Sequence, residues 1–218
     1  GSVTQHIAAL QSRWPPPADA FTVSLWHRFV KPPYGGGNQF MLALRKGLRQ
    51  RGLNVEENQL HRGIDAYLLN SIHFDIDSFI KFKEKFDLQV VHRIDGPIQL
   101  IRGSDQEKDE LCYSLNAELA SITVLQSNWT YQRIVELGYR PINPVIIRNT
   151  VDPDIFHSQQ RLPFDPNRKI RLISTSWSDN PRKGGPTYKW LDQNLDWNRF
   201  EFTFVGRVKE DFENIRLI

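Results

Sequence analysis

Three successive glycines, Gly35, Gly36 and Gly37, are followed by Asn38 and an apolar run that begins at Phe40. Glycine visits positive φ freely and carries no Cβ. Such a stretch therefore serves either a sharp turn or the close approach of a small ligand to bare amides. A second glycine pair stands in NPRKGGP (180–186), where Arg182 and Lys183 precede Gly184 and Gly185. At a helix start the amide N–H groups favour an anion and a lysine or arginine adds compensating charge, which is phosphate chemistry. Without a ligand the same residues make an exposed basic turn. No G-x-x-x-x-G-K-[ST] pattern is present, so a P-loop is not supported. His92 ends an apolar stretch with Asp95 three residues on, and it either faces a cleft or fills a core. Asn149 and Arg207 end two further apolar stretches. No second histidine or cysteine stands at ligand spacing, so no metal site is expected. A G-x-S-x-G elbow is also missing.

These groups need strands that end beside them. FTVSLWHRF (21–29) reads as a strand, and Asn38 as the cap of a helix whose apolar face is Phe40, Ala43, Leu44 and Leu48, stopped by Gly52. A short strand at 53–56 is followed by AYLLNSI (66–72), an apolar run typical of a buried parallel strand. Asp75, Asp77 and Ser78 prepare a helix over 78–86. LQVVHRID (88–95) is a strand, and 107–120 a helix with Leu111, Leu115 and Leu119 on one face. SITVLQS (121–127), NWTYQRIVELG and NPVIIRN (143–149) continue the alternation. Strands and helices in strict turn imply an α/β fold with a parallel sheet covered on both faces. In such sheets ligands bind outside the carboxyl ends of the strands, where all the candidates fall.

The expected organisation is a proline-rich extension (1–20), a first domain (21–149), a linker with three prolines (150–168) and the beginning of a second, incomplete domain (169–218). Of the 218 residues, 39% are hydrophobic and 24% charged, the composition of an ordinary globular protein. The 28 basic and 25 acidic side chains give a net charge of +3, too little to argue for nucleic acid. Arg45, Lys46, Arg49 and Arg51 form a solvated helix end or, alternatively, a contact with an acceptor phosphate or with anionic lipid at an inner membrane face. The single cysteine, Cys112, excludes an intramolecular disulfide and fits a reducing, cytoplasmic compartment.

Taken in order, GGGNQ, VHRIDGP (91–97), PVIIRNTVDPDIF (144–156) and NPRKGGP followed by FVGR resemble the retaining glycosyltransferases of GT-B fold, the group 1 or family four type. The resemblance spans most of 21–207. Its most specific part is similar to the family's P-N-G-V-D…F signature, with Arg148 and Thr150 at the proline and glycine positions. It implies two Rossmann-like domains, the first binding an acceptor and the second a nucleotide-sugar, with reaction in the cleft between them. By the same resemblance Gly35, Gly36, Gly37, Asn38 and Arg182 would hold the donor diphosphate or an acceptor phosphate. Lys183 would neutralise the leaving diphosphate, and His92 would contact the transferred sugar. Asp95, Asn149 and Arg207 would line the cleft. Neither a metal nor a cofactor is implied beyond the nucleotide-sugar co-substrate, and the acceptor would be a glycan, a lipid or a small molecule.

Two positions depart from the family pattern. Trp177 stands where the family places an arginine, and the family's E-x7-E motif is expected beyond Ile218, since the pair Glu110 and Glu118 lies in a helix of the first domain. Two other readings compete. An oxidoreductase would bind NAD through Gly35, Gly37 and Glu56, which lies 19 residues beyond Gly37, although Phe40 occupies the third glycine position of that motif. A non-catalytic sugar- or phosphate-binding module of the same shape is the third reading.

Overall fold

The computed structural model describes residues 20–31, 35–151, 156–159, 163 and 165–218. The N-terminal extension up to residue 19, positions 152–155 of the expected interdomain signature and part of the linker lie outside that set. The chain divides into two compact units, Gly1–Asn149 and Thr150–Ile218. Each is α/β, and the larger has a Rossmann-like arrangement.

In the larger unit, β1 (Thr22–Trp26), β2 (Asn54–Glu57), β3 (Ala66–Asn70), β4 (Val90–Ile94), β5 (Ile122–Leu125) and β6 (Pro144–Ile146) form one parallel sheet. Their spatial order is β2-β1-β3-β4-β5-β6. The chain leaves β1 in one direction and returns on its other side as β3, so the carboxyl ends of β1 and β3 flank a topological switch point. The helices are α1 (Gly36–Gln50), α2 (Ile76–Lys83), α3 (Ile98–Arg102), α4 (Gln106–Leu119) and α5 (Asn128–Glu136).

Alternation along each strand assigns the two faces. Val23, Leu25 and Val55 pack on Met41 of α1. On the opposite face Tyr67, Leu69 and Val90 meet Phe79 of α2 and Leu115 and Leu119 of α4, while Ile94 and Leu125 meet Cys112, Tyr113 and Ile134. Leu111 was expected on the apolar face of α4, yet it is 42% exposed. The buried stripe runs through Cys112, Leu115 and Leu119, at spacings of three and four, and Leu111 falls beside it. The Cys112 thiol is covered and pushed up to about 12 by burial, which makes it inert.

Local signals place the helix starts. The Asp75 carboxylate accepts from Ser78 N and Ser78 Oγ at the head of α2, and Ser127 Oγ accepts from Thr130 N at the head of α5. Asp109, itself buried, accepts from the amides of Ile98 and Gln99 and so caps α3 from a neighbouring helix. The basic cluster on α1 is partly engaged: Arg45 lies 2.7 Å and Arg49 3.6 Å from the Glu57 carboxylate on β2. No helix among the described residues is long and apolar enough to cross a membrane.

In the smaller unit, β7 (Ile170–Ser176), β8 (Phe200–Gly206) and β9 (Arg216–Leu217) form a parallel sheet in sequence order, with α6 (Gly185–Asn194) between the first two. Leu172, Phe202 and Phe204 pack against Tyr188 and Leu191 of α6. On α6 the fully buried Asp192 carboxylate accepts from the amides of Glu213, Asn214 and Ile215, at 2.8 to 2.9 Å. These bonds set the loop that leads into β9.

Candidate functional site

The switch point of the larger unit gathers polar groups from three strand ends. After β1 the chain reaches Gly35 at φ 76°, a conformation that glycine adopts without strain, and α1 begins at Gly36. Among the described residues no side chain caps α1, and its first turn holds no acid. The amides of that turn therefore keep their partial positive charge.

Asn38 was expected to be the cap and a phosphate ligand. It lies instead within the first turn and is 4% exposed, its amide accepting from Val30 N and donating to Val30 O, each at 2.9 Å. Its side chain thus pins the loop after β1, leaving only its backbone amide for a ligand. The helix starts earlier than Asn38 because Gly36 and Gly37 already adopt helical geometry.

Beside this terminus stands Asn70, the last residue of β3, fully buried. Its Oδ1 accepts from Arg93 at 2.8 Å, whereas its Nδ2 has no partner among the described residues. A Cβ at position 37 would lie 2.8 Å from that Nδ2, so glycine at 37 keeps the space in front of the amide open. Arg93 of β4 is 5% exposed, also pairs with Asp95 at 2.8 Å, and lies 4.0 Å over the Phe40 ring. Asp95 is accordingly held as a counter-ion.

His27, just past β1, is 2% exposed and makes no hydrogen bond of good geometry from either ring nitrogen among the described residues. Burial, reinforced by His73, lowers its pKa; the His73 backbone and the Asn38 amide only partly offset this, so the imidazole is neutral. An uncapped helix terminus, an unpartnered buried amide and a buried imidazole together make a seat for an anion. Its donors are mostly dipoles. Sequence reasoning missed His27 and Asn70, and took Arg93 only as part of the polar strand end 92–95; the available signal for Asn70 was a polar residue ending the apolar strand AYLLN.

This geometry yields a prediction. Gly37→Ala favours the helix by intrinsic propensity, yet its methyl would crowd Asn70 Nδ2. Pyrophosphate binding measured by calorimetry should weaken about tenfold, the equivalent of one hydrogen bond, with the melting temperature unchanged or raised. Unaltered affinity would remove Gly37 from the seat.

The sequence-predicted His92 lies elsewhere. It is fully buried, with Nε2 2.8 Å from the Ser71 carbonyl and Nδ1 3.3 Å from Asn116 Nδ2. The tautomer that satisfies both has the proton on Nε2. Both nitrogens are engaged, so the expected contact with a sugar has no free atom to make it; the ring belongs to the core beside Phe74.

Burial lowers the His92 pKa to about 4, the Ser71 bond offsetting only part. The folded value is below the unfolded one, so this contribution is complete above pH ~6.5 and is lost as pH falls toward 4. About 3 kcal/mol should disappear over that window. Denaturant unfolding at a series of pH values checks this. A His92→Gln variant should show a flatter slope than the wild type, and equal slopes would refute the assignment.

In the smaller unit, β7 leads into a 3-10 turn, Pro181–Lys183, whose Arg182 N donates to Asn180 Oδ1 at 2.9 Å. Gly184, at φ 98°, then starts α6. The Lys183 side chain is exposed and has no partner among the described residues. Arg207 is exposed too, its amide donating to Ser176 O at 2.7 Å. Gly206 (φ 116°) lies so close to Ser176 O that a Cβ would collide with it.

The Glu210 carboxylate rests against Gly185, the first residue of α6, where a Cβ would displace it. It leaves a cavity of about 10 Å³, room for about one water. That space is too small for a diphosphate with Glu210 in this position. Trp177, at the position where the resembled glycosyltransferases place an arginine, is 60% exposed.

Asn149, the remaining candidate, donates to Gln126 Oε1 at 2.8 Å at the carboxyl edge of the larger sheet. Among the described residues no group of three or more His, Cys, Asp or Glu could hold a metal ion. No protein-family model and no curated protein matches the chain, so the functional reading rests on its own geometry.

Proposed function

We propose that this protein is a glycosyltransferase of GT-B type, moving a sugar from a nucleotide-sugar to an acceptor with retention of configuration and without a metal. One observation carries the reading: the uncapped N-terminus of α1 at a switch point, with the unpartnered Asn70 amide facing Gly37. The loop 180–185, with Lys183 ahead of α6, adds a second place for phosphate in the other unit.

The amides of Gly36, Gly37 and Asn38 hold a phosphate. Lys183 and Arg182 counter the charge that grows on the departing diphosphate, and Arg207 adds to that field. Stabilisation of this kind acts where charge develops in the transition state. With the leaving group so neutralised, a donor phosphate oxygen takes the acceptor proton and the sugar is delivered to the face it left. His92 acts indirectly, by holding β4 against β3 and α4.

The oxidoreductase reading is weakened by two contacts. Phe40, at the third glycine position of the dinucleotide motif, places its ring beneath Arg93, and Glu56 is engaged by His61 at 2.9 Å. The second reading is a non-catalytic phosphate- or sugar-binding module, favoured by Glu210 covering the start of α6.

The test is calorimetric titration of protein expressed from the full reading frame with UDP-, GDP- and ADP-sugars, with NAD as comparator. Saturable binding of one nucleotide-sugar that weakens in Lys183→Ala supports the transferase. Binding of NAD alone overturns it, and no binding at all moves the assignment to the non-catalytic module.

A further inference from the structure

At the carboxyl ends of β4, β5 and β6 the larger unit carries an open groove of about 400 Å³ that shares no residue with the α1 terminus. Gly96, Ile101, Gln126, Trp129, Arg148 and Asn149 line it. A side chain at Gly96 would stand 3.3 Å from both the Trp129 ring and Ile101 Cδ1, so glycine lets the indole lie across the strand end. Trp129 is 47% exposed, in the first turn of α5. A half-open indole bordered by polar groups suits a ligand that is apolar on one face and hydroxylated at its rim.

The polar groups are already oriented. The bond from Asn149 Nδ2 to Gln126 Oε1 fixes both amides and leaves Gln126 Nε2 as a donor and Asn149 Oδ1 as an acceptor. Neighbouring hydroxyls on a ring need such a pair. Charge selects further. Among the described residues, Asp95 beside Gly96 is paired with Arg93, and Asp109 is held by the amides that open α3. Arg148 has no partner among the described residues, so its guanidinium can take a planar carboxylate in two parallel bonds.

We propose that this groove binds a pyranose bearing a carboxylate, a uronic-acid residue. The ring stacks on Trp129, its hydroxyls meet Gln126 and Asn149, and its carboxylate meets Arg148. That the bound sugar is the acceptor rests on the transferase reading; the binding itself does not.

Saturation-transfer NMR and tryptophan-fluorescence titrations of the full chain with methyl β-D-glucopyranosiduronate and methyl β-D-glucopyranoside test this. The uronate should bind about tenfold more tightly than the glucoside, and Arg148→Gln should remove that preference. Trp129→Ala should abolish binding of both, while Trp129→Tyr, which keeps an aromatic face, should retain it. Equal affinity for the two glycosides, no uronate binding, or binding indifferent to Trp129→Ala would overturn the proposal. Uronate binding without nucleotide-sugar binding would uphold the groove and sink the transferase reading; nucleotide-sugar binding without uronate binding would do the reverse.

Discussion

Asp192→Ala is expected to destabilise the smaller unit by about 3–5 kcal/mol, the range for breaking a buried charge network. The carboxylate has no exposed surface, and three consecutive backbone amides, of Glu213, Asn214 and Ile215, converge on it. Alanine would leave all three donors without an acceptor. Asp192→Asn should cost less, since one oxygen could still accept from Asn214 and Ile215, but its NH₂ would confront the Glu213 amide.

The network also has a pH signature. Burial by itself would raise the Asp192 pKa, yet the three amides and Lys189 more than offset this and hold it below the ordinary carboxylate value. Its contribution is thus present above pH ~3.9 and is lost as pH falls through the lower folded value. Hydrogen exchange gives a local readout: protection at Glu213, Asn214 and Ile215 should collapse in Asp192→Ala while that of β1 and β3 persists. A loss below about 1 kcal/mol would show that the loop holds without this anchor.

Lys183→Ala is expected to reduce turnover about 100-fold with no measurable loss of stability. Its side chain is exposed and makes no hydrogen bond or ion pair among the described residues, so substitution removes mainly charge and stability should stay within about 0.5 kcal/mol. A factor of 100 corresponds to about 2.7 kcal/mol, typical of one group that meets charge developing in a transition state. The assay is release of nucleoside diphosphate by the intact protein. Lys183→Arg should recover part of the rate, because it restores the charge with different geometry. Turnover within a few-fold of the wild type would take Lys183 out of the chemistry.

The strands were legible because apolar and β-branched runs such as AYLLN and VVHRI are what a buried parallel sheet requires. Helix boundaries were less so. At α1 the capping residue type stands at Asn38, but two glycines that precede it are helical, and only tertiary contacts with Val30 reveal what Asn38 does. Helix α3 is five residues long, too short for any periodicity, and its cap comes from Asp109 on another helix.

The glycine-rich loops were found by composition, since glycine marks a backbone that must be approached. Their partners were hidden for a physical reason. Asn70 and Arg93 lie inside strand patterns, and only the pairing of β3 with β4 brings them together. His92 illustrates the converse: a histidine at a strand end reads equally well as ligand or core, and the positions of Ser71 and Asn116 decide it.

Glu210 sets a threshold for whatever reaches the start of α6. A carboxylate carried on a short loop competes at an effective concentration in the millimolar range or above. Singly charged solutes such as chloride or bicarbonate meet a rival of equal charge that never diffuses away. A ligand with two linked phosphates brings more charge and could engage the neighbouring Lys183 at the same time, so it would compete better for the place. The tethered acid therefore puts singly charged anions at a disadvantage at this helix terminus.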